Sequence, residues 1–187
     1  MSTGSIVRRL APLLWLLFAL PHAQAHPHDR DHPSSSDQAQ PASLPEPTGR
    51  VILTLSGDIA RSNVGDEAHF DRAMLEALPS RIIETRTPWH SDKGRFEGPL
   101  VRALLEAVGA DGDSLQIRAL NDFEAQAPLS DFYAHDVILA MSRDGEPLGI
   151  RDYGPLFVVY PFDAHPELLT EAVRFRSVWH VERIIVP

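Results

Sequence analysis

Arg86, Trp89, His90 and Lys93 fall within one short polar stretch, and their types suit the capture of an anion. Guanidinium groups hold phosphate or carboxylate through paired hydrogen bonds, and an indole stacks on a flat ring or a cation. With Arg151 from farther along the chain they could line one anion pocket. The plainer alternative is a Trp that anchors its loop to the core beside solvated charges. Two further polar clusters interrupt apolar runs: Asn121-Asp122, and the elbow Arg151-Asp152-Tyr153-Gly154-Pro155. Asn and Asp suit a turn by themselves, because both side chains bond local backbone groups. Arg151 and Asp152 are either an internal ion pair that closes the elbow or one wall of a binding site. His26, His28 and His32, with Asp29 and Asp31, invite a copper or zinc reading, although Pro27 lacks the amide hydrogen that an amino-terminal copper site must lose. His69, His135 and His165 show no ligand-like spacing, and His180 reads as half-exposed or as a core histidine with its partners met. The chain has no Cys, which removes thiolate metal sites, iron–sulfur clusters and thiol nucleophiles together. No Ser-His-Asp set, Gly-rich phosphate loop or paired-carboxylate motif stands out, and no metal-ligand set is assigned.

The elements that must position these groups centre on Asp136 to Pro161. Val137 to Met141 has the length and β-branched content of a strand, Asp144-Gly145 signals a tight turn, and Leu156 to Tyr160 is a second apolar strand. Upstream, Arg50 to Ile59, Ile82 to Thr87 and Ser114 to Leu120 read as strands, and Val178 to Val186 closes the chain as another. Apolar residues at three-and-four spacing predict helices over His69 to Leu78 and over Leu100 to Val108, the second capped by Gly109. Pro88 to Gly94 reads as a polar loop, Phe96 to Pro99 as a turn, Asp131 to His135 as a polar turn, and Glu167 to Phe175 as a short helix. Strands interleaved with a few short helices, without internal repeats, indicate one α+β domain with a mixed sheet over residues 49–187.

Residues 1–25 read as an export signal: Arg8-Arg9 form a positive start, Leu10 to Leu20 an apolar run, and Ala23-Gln24-Ala25 a cleavage site. The run is too short to span a bilayer comfortably, so no integral membrane segment is expected after cleavage and the destination is periplasmic or secreted. Residues 26–48, rich in Pro, Ser, Asp and Gln, read as a disordered linker. Loss of the signal moves the net charge from −9 to −11, which argues against nucleic acid or an anionic membrane surface as partner. A small anionic ligand or a protein partner is the expectation that remains.

The order of motifs resembles the molybdopterin-binding domain of sulfite-oxidase-type oxidoreductases. ETRTPW (Glu84 to Trp89) falls where that family has a strand running into its active-site loop, and FEGPLVRALLEAVGA (Phe96 to Ala110) resembles its Gly-containing Leu-rich helix. LNDFEAQAPL, DVILAMSRDGEPL, YGPLFVVYP and SVWHVERIIV resemble four later segments in the right order, so the likeness covers about residues 51–186. More closely, the chain is similar to short exported bacterial proteins catalogued as molybdopterin-dependent-oxidoreductase-like. The resemblance implies the sulfite-oxidase-like fold and a molybdopterin or related anionic cofactor held by Thr85, Arg86, Thr87, Trp89, His90, Asn121, Asp122, Arg151, Asp152 and Tyr153. It also implies departures. The family's molybdenum-binding Cys aligns with Thr85 or Thr87, and two cationic positions of the family are Phe157 and Val178 here. Two readings follow: a cofactor-binding redox domain, or a non-catalytic ligand-binding or sensory module on the same fold. A metal carrier acting through His26, His28 and His32 ranks behind both.

Overall fold

The computed structural model describes residues 43–187. The expected export signal and the linker as far as residue 42, including His26, His28 and His32, lie outside the described residues. The linker's last residues are tied down: Leu44 packs against the core, and the Thr48 and Gly49 amides donate to Asp71 Oδ2 at 2.8 and 2.7 Å.

The strands are β1 (Val51–Gly57), β2 (Ala68–Asp71), β3 (Ser80–Thr87), β4 (His90–Pro99), β5 (Ser114–Ala119) and β6 (Glu124–Pro128), followed by β7 (Ile138–Ala140), β8 (Ser142–Arg143), β9 (Glu146–Pro147), β10 (Phe157–Val159) and β11 (Val181–Val186). The helices are α1 (Arg72–Glu76), α2 (Val101–Val108), α3 (Leu129–Ala134) and α4 (Glu171–Arg176). A five-stranded sheet runs in the order β2-β1-β11-β5-β6, and a four-stranded one in the order β3-β4-β8-β9. Only β1 and β11 pair in parallel among the named strands, so the α+β architecture with a mixed sheet is as expected.

The β7–β10 pair separates two cores. Leu139 and Val158 join the larger cluster with Leu53, Leu104, Ile117 and Ile184, whereas Ile138, Ala140, Phe157 and Val159 join a smaller one with Ile83 and Phe96. Successive residues of a strand point to opposite faces, so a ribbon buried on both sides must be apolar throughout. That is why Val137–Met141 and Leu156–Tyr160 read as unbroken apolar runs. Deep in the larger core Tyr160 is fully buried, and its hydroxyl donates to Asp131 Oδ2 at 3.0 Å. Burial, and then the Asp131 carboxylate, push the phenol's pKa well above its ordinary value.

Local corrections have identifiable causes. The helix expected over His69 to Leu78 begins only at Arg72. His69 is held in β2 by Asn63, which accepts from its amide and donates to its carbonyl at 2.8 and 2.9 Å. Asp71 then caps α1 by accepting from the Met74 amide at 2.9 Å. Hydrogen bonds from Met74 first, then Gly49 and Thr48, hold the Asp71 carboxyl below the usual carboxylate range. Phe96 to Pro99 is strand rather than turn, because Phe96 is buried and Gly98 lies directly against the Leu139 carbonyl. Asp131 to His135 belongs largely to α3, which buries Phe132. The predicted Asp-Gly turn is present: Asp144 and Gly145 take φ of 53° and 86° and join β8 to β9. Gly109 ends α2 in the left-handed region, also as predicted.

A Cβ at Gly98 has no space against the backbone of β7. Gly98→Ala is expected to lower stability by about 2 kcal/mol, read as the midpoint of urea unfolding. An unchanged midpoint contradicts this packing of β4 on β7.

Candidate functional site

The site grows from the turn between β3 and β4, where the register slips between Thr85 and Thr87. Thr87 is nearly buried, and its Oγ1 accepts from the amides of Trp89 and His90 at 3.2 and 3.1 Å. Those bonds occupy both lone pairs, so the hydroxyl proton points to His90 Nδ1, 2.8 Å away. His90 then carries its own proton on Nε2 and is neutral. Burial first, and the Arg143 cation second, hold its pKa below the ordinary 6.5. The imidazole packs edge-on against Tyr153 and Phe96, with ring centres 4.9 and 5.7 Å away.

Thr85, fully buried, is equally committed. Its Oγ1 donates to the Arg86 carbonyl at 2.9 Å and accepts from the Asp163 amide at 3.0 Å. Asp163 fastens the outer side of the turn: its carboxylate accepts from the Arg86 amide at 3.2 Å and faces Arg86 Nη1 and Lys93 Nζ at 3.4 and 3.7 Å. Two of the cations expected to hold an anion are thus already matched, in partly exposed pairs of small energetic weight.

Three cavities surround the turn. The first, about 440 Å³, is walled by Trp89, Phe123, Leu169, Phe175 and Trp179, with Glu171, Arg174 and Ser177 as its polar lining. Trp89 and Trp179 meet edge to face at 4.8 Å. The second, about 480 Å³, takes Arg86, Thr87, His90, Ser91 and Asp163, and shares Leu169 and Arg174 with the first. The third, about 560 Å³, lies beyond His90 and is lined by Arg143, Arg151, Asp152 and Tyr153 among others.

The ten residues singled out by sequence therefore do not share one pocket. Thr85 is sealed beneath the turn. Arg86, Thr87 and His90 face the second cavity and Trp89 the first, while Arg151, Asp152 and Tyr153 meet His90 in the third. Arg151 and Asp152 are exposed and make no ion pair among the described residues. The elbow closes through backbone instead, with the Gly154 amide on the Gly149 carbonyl at 2.8 Å and His180 Nε2–H on the Ile150 carbonyl at 2.7 Å. Asn121 and Asp122 form the β5–β6 turn: the Asp122 amide donates to the Ala119 carbonyl at 3.0 Å, and Asp122 takes a φ of 62°. Neither lines these three cavities, although the adjacent Phe123 does. Asp163, Leu169, Arg174, Phe175 and Trp179 escaped sequence reasoning as site residues. Only Trp179 stood in a quoted motif.

Because His90 is neutral when folded, its contribution to stability is complete above about pH 6.5 and is lost as pH falls through the lower folded value. The fall in melting temperature between about pH 7.5 and about pH 5.5 should be smaller in His90→Gln than in the parent protein. Equal falls contradict the neutral, threonine-bonded imidazole.

Residues 72–163 match the family model described as "Oxidoreductase molybdopterin binding domain". No curated protein matches the chain. Among 29 matching solved chains is the crystal structure of the sulfane dehydrogenase SoxCD from Paracoccus pantotrophus, with a TM-score of 0.53 and 17% identity over 72% of this chain. The match covers 37% of that chain, so this protein spans little more than a third of its relative's length. At that identity the likeness is one of fold. The donor set tests the cofactor. Thr85 and Thr87, one or other of which the resemblance sets at the family's molybdenum-binding thiolate, are alcohols, and both hydroxyls are spent on the nearby backbone or on His90. Alcohols also lack the softness that such a centre selects. These residues do not fit a thiolate-held molybdenum. Residues 72–163 nevertheless resemble a molybdopterin-binding oxidoreductase domain, and the chain shares the fold of the sulfane dehydrogenase structure.

Proposed function

We propose that this is an exported, non-catalytic binding module that takes a flat anionic small molecule, of pterin or related heteroaromatic type, in the first two cavities. One observation carries the reading. Arg174 stands where the aromatic cavity meets the polar one, and its guanidinium makes no ion pair among the described residues. A cation left over between stacking rings and hydrogen-bond donors is suited to a ligand with a planar body and a carboxylate or phosphate. Trp89, Trp179 and Phe175 supply the apolar walls, and Arg174 forks onto the anion. His90 Nε2–H and Ser91 are further donors beside the second cavity. Export and a periplasmic destination belong to the same proposal and are supported by Arg8-Arg9, the Leu10–Leu20 run and Ala23-Gln24-Ala25.

Pterin-6-carboxylate serves as the probe, with quenching of tryptophan fluorescence as the signal. The mature protein should show saturable quenching, and Arg174→Ala should bind about tenfold more weakly. Trp89→Leu should lose much of the signal while keeping its far-ultraviolet circular dichroism. No saturation in the parent protein, or equal affinity in Arg174→Ala, sinks the proposal.

A further inference from the structure

In a separate cavity, two histidines that are far apart in sequence meet. His135 follows α3, and its amide donates to the Asp131 carbonyl at 3.1 Å. His165 opens a 3-10 turn at Pro166–Leu168, and its amide donates to the Pro161 carbonyl at 2.9 Å. Their ring centres lie 4.9 Å apart with planes at 66°. Both line a cavity of about 440 Å³ together with Glu84 of β3, Arg81 and Asp136.

Three details separate this pair from a chance contact. First, His135 Nδ1 is sealed from solvent and has no hydrogen-bond partner among the described residues. A buried ring nitrogen without a partner is an uncommon, costly state that an ion or water relieves. Second, His165 Nδ1 lies 3.0 Å from Glu167 Oε1. A carboxylate that accepts the proton of one ring nitrogen fixes the tautomer and leaves the other nitrogen as a basic ligand. Third, zinc–nitrogen bonds of about 2.0–2.1 Å at tetrahedral angles place two ligand rings about 5 Å apart, centre to centre. The observed separation meets that requirement.

We infer that His135 and His165 form a binding site for a divalent late transition-metal ion such as zinc. Two imidazoles select this class of ion over magnesium or calcium, which take oxygen. No group of three or more His, Asp or Glu side chains is placed for a metal among the described residues. The remaining coordination positions therefore fall to water. Asp136, in the same cavity, is engaged by Arg81 and Arg102 at 3.5 and 2.6 Å. This inference stands apart from the proposed ligand cavity, because the two sites share no lining residue.

Zinc titrated by calorimetry into the mature full-length chain at about pH 7.5 tests it, since both rings must be deprotonated. A companion protein carrying His26→Ala, His28→Ala and His32→Ala removes the histidines of the amino-terminal segment. One zinc per chain should persist in the companion protein and weaken at least about tenfold on adding His135→Ala or, separately, His165→Ala. His165→Asn, at a half-exposed side chain, repeats the test where His135→Ala fails to fold. The inference is overturned if the companion protein binds no zinc, or if zinc binding survives every substitution at His135 and His165.

Discussion

A ribbon of two short strands, apolar on both faces, is the constraint on which the rest of this domain depends. β7 and β10 place Leu139 and Val158 in one core, and Ile138, Ala140, Phe157 and Val159 in the other. Neither face can be exposed without losing a core, so the flanking elements are pressed against it. β4 approaches closely enough to demand Gly98, and the segment that leads into β11 meets β10 through the Trp179–Phe157 bridge. The candidate site is the roof of the smaller core. Trp89, Tyr153 and Trp179 pack on that cluster while keeping part of their surface open to the cavities. Packing and recognition therefore use the same aromatic rings.

On that roof, one hydroxyl decides the chemistry. Thr87 Oγ1 closes the β3–β4 turn with two accepted amide hydrogens and gives its own proton to His90. The arrangement fixes Trp89 and His90 in place and leaves the oxygen nothing with which to bind a metal. Thr85 is bound in the same sense to Arg86 and Asp163. The turn thus keeps the position that the resemblance assigns to an active site while its donors serve the fold. Arg174, between the first two cavities, and Arg151, in the third, make no ion pair among the described residues, which is why recognition of an anion, rather than thiolate-held metal chemistry, suits these atoms.

Much of the architecture was legible because both faces of β7 and β10 are buried, leaving long apolar runs, and because Asp144-Gly145 and Gly109 sit at positive φ where few residues are comfortable. The helix expected from His69 was not, since the spacing of Phe70, Met74 and Leu78 suits a helix while Asn63 and β1 hold His69 and Phe70 in a strand. Tertiary contacts outweigh local preference there. The site was partly legible. Arg86, Trp89 and His90 lie within one turn, so proximity in sequence implied proximity in space. Arg174, Phe175 and Asp163 reach it only through the fold, and nothing in their local spacing marks them. Asn121 and Asp122 looked chemical, yet their own backbone geometry accounts for them.

The central claim is that the alcohols at the end of β3 have taken the fold out of thiolate-held molybdenum chemistry. Its most direct test is the molybdenum content, by plasma mass spectrometry, of the mature protein purified from cells supplied with molybdate. The account predicts molybdenum far below one atom per chain. A content near one atom per chain, retained through gel filtration, would contradict it.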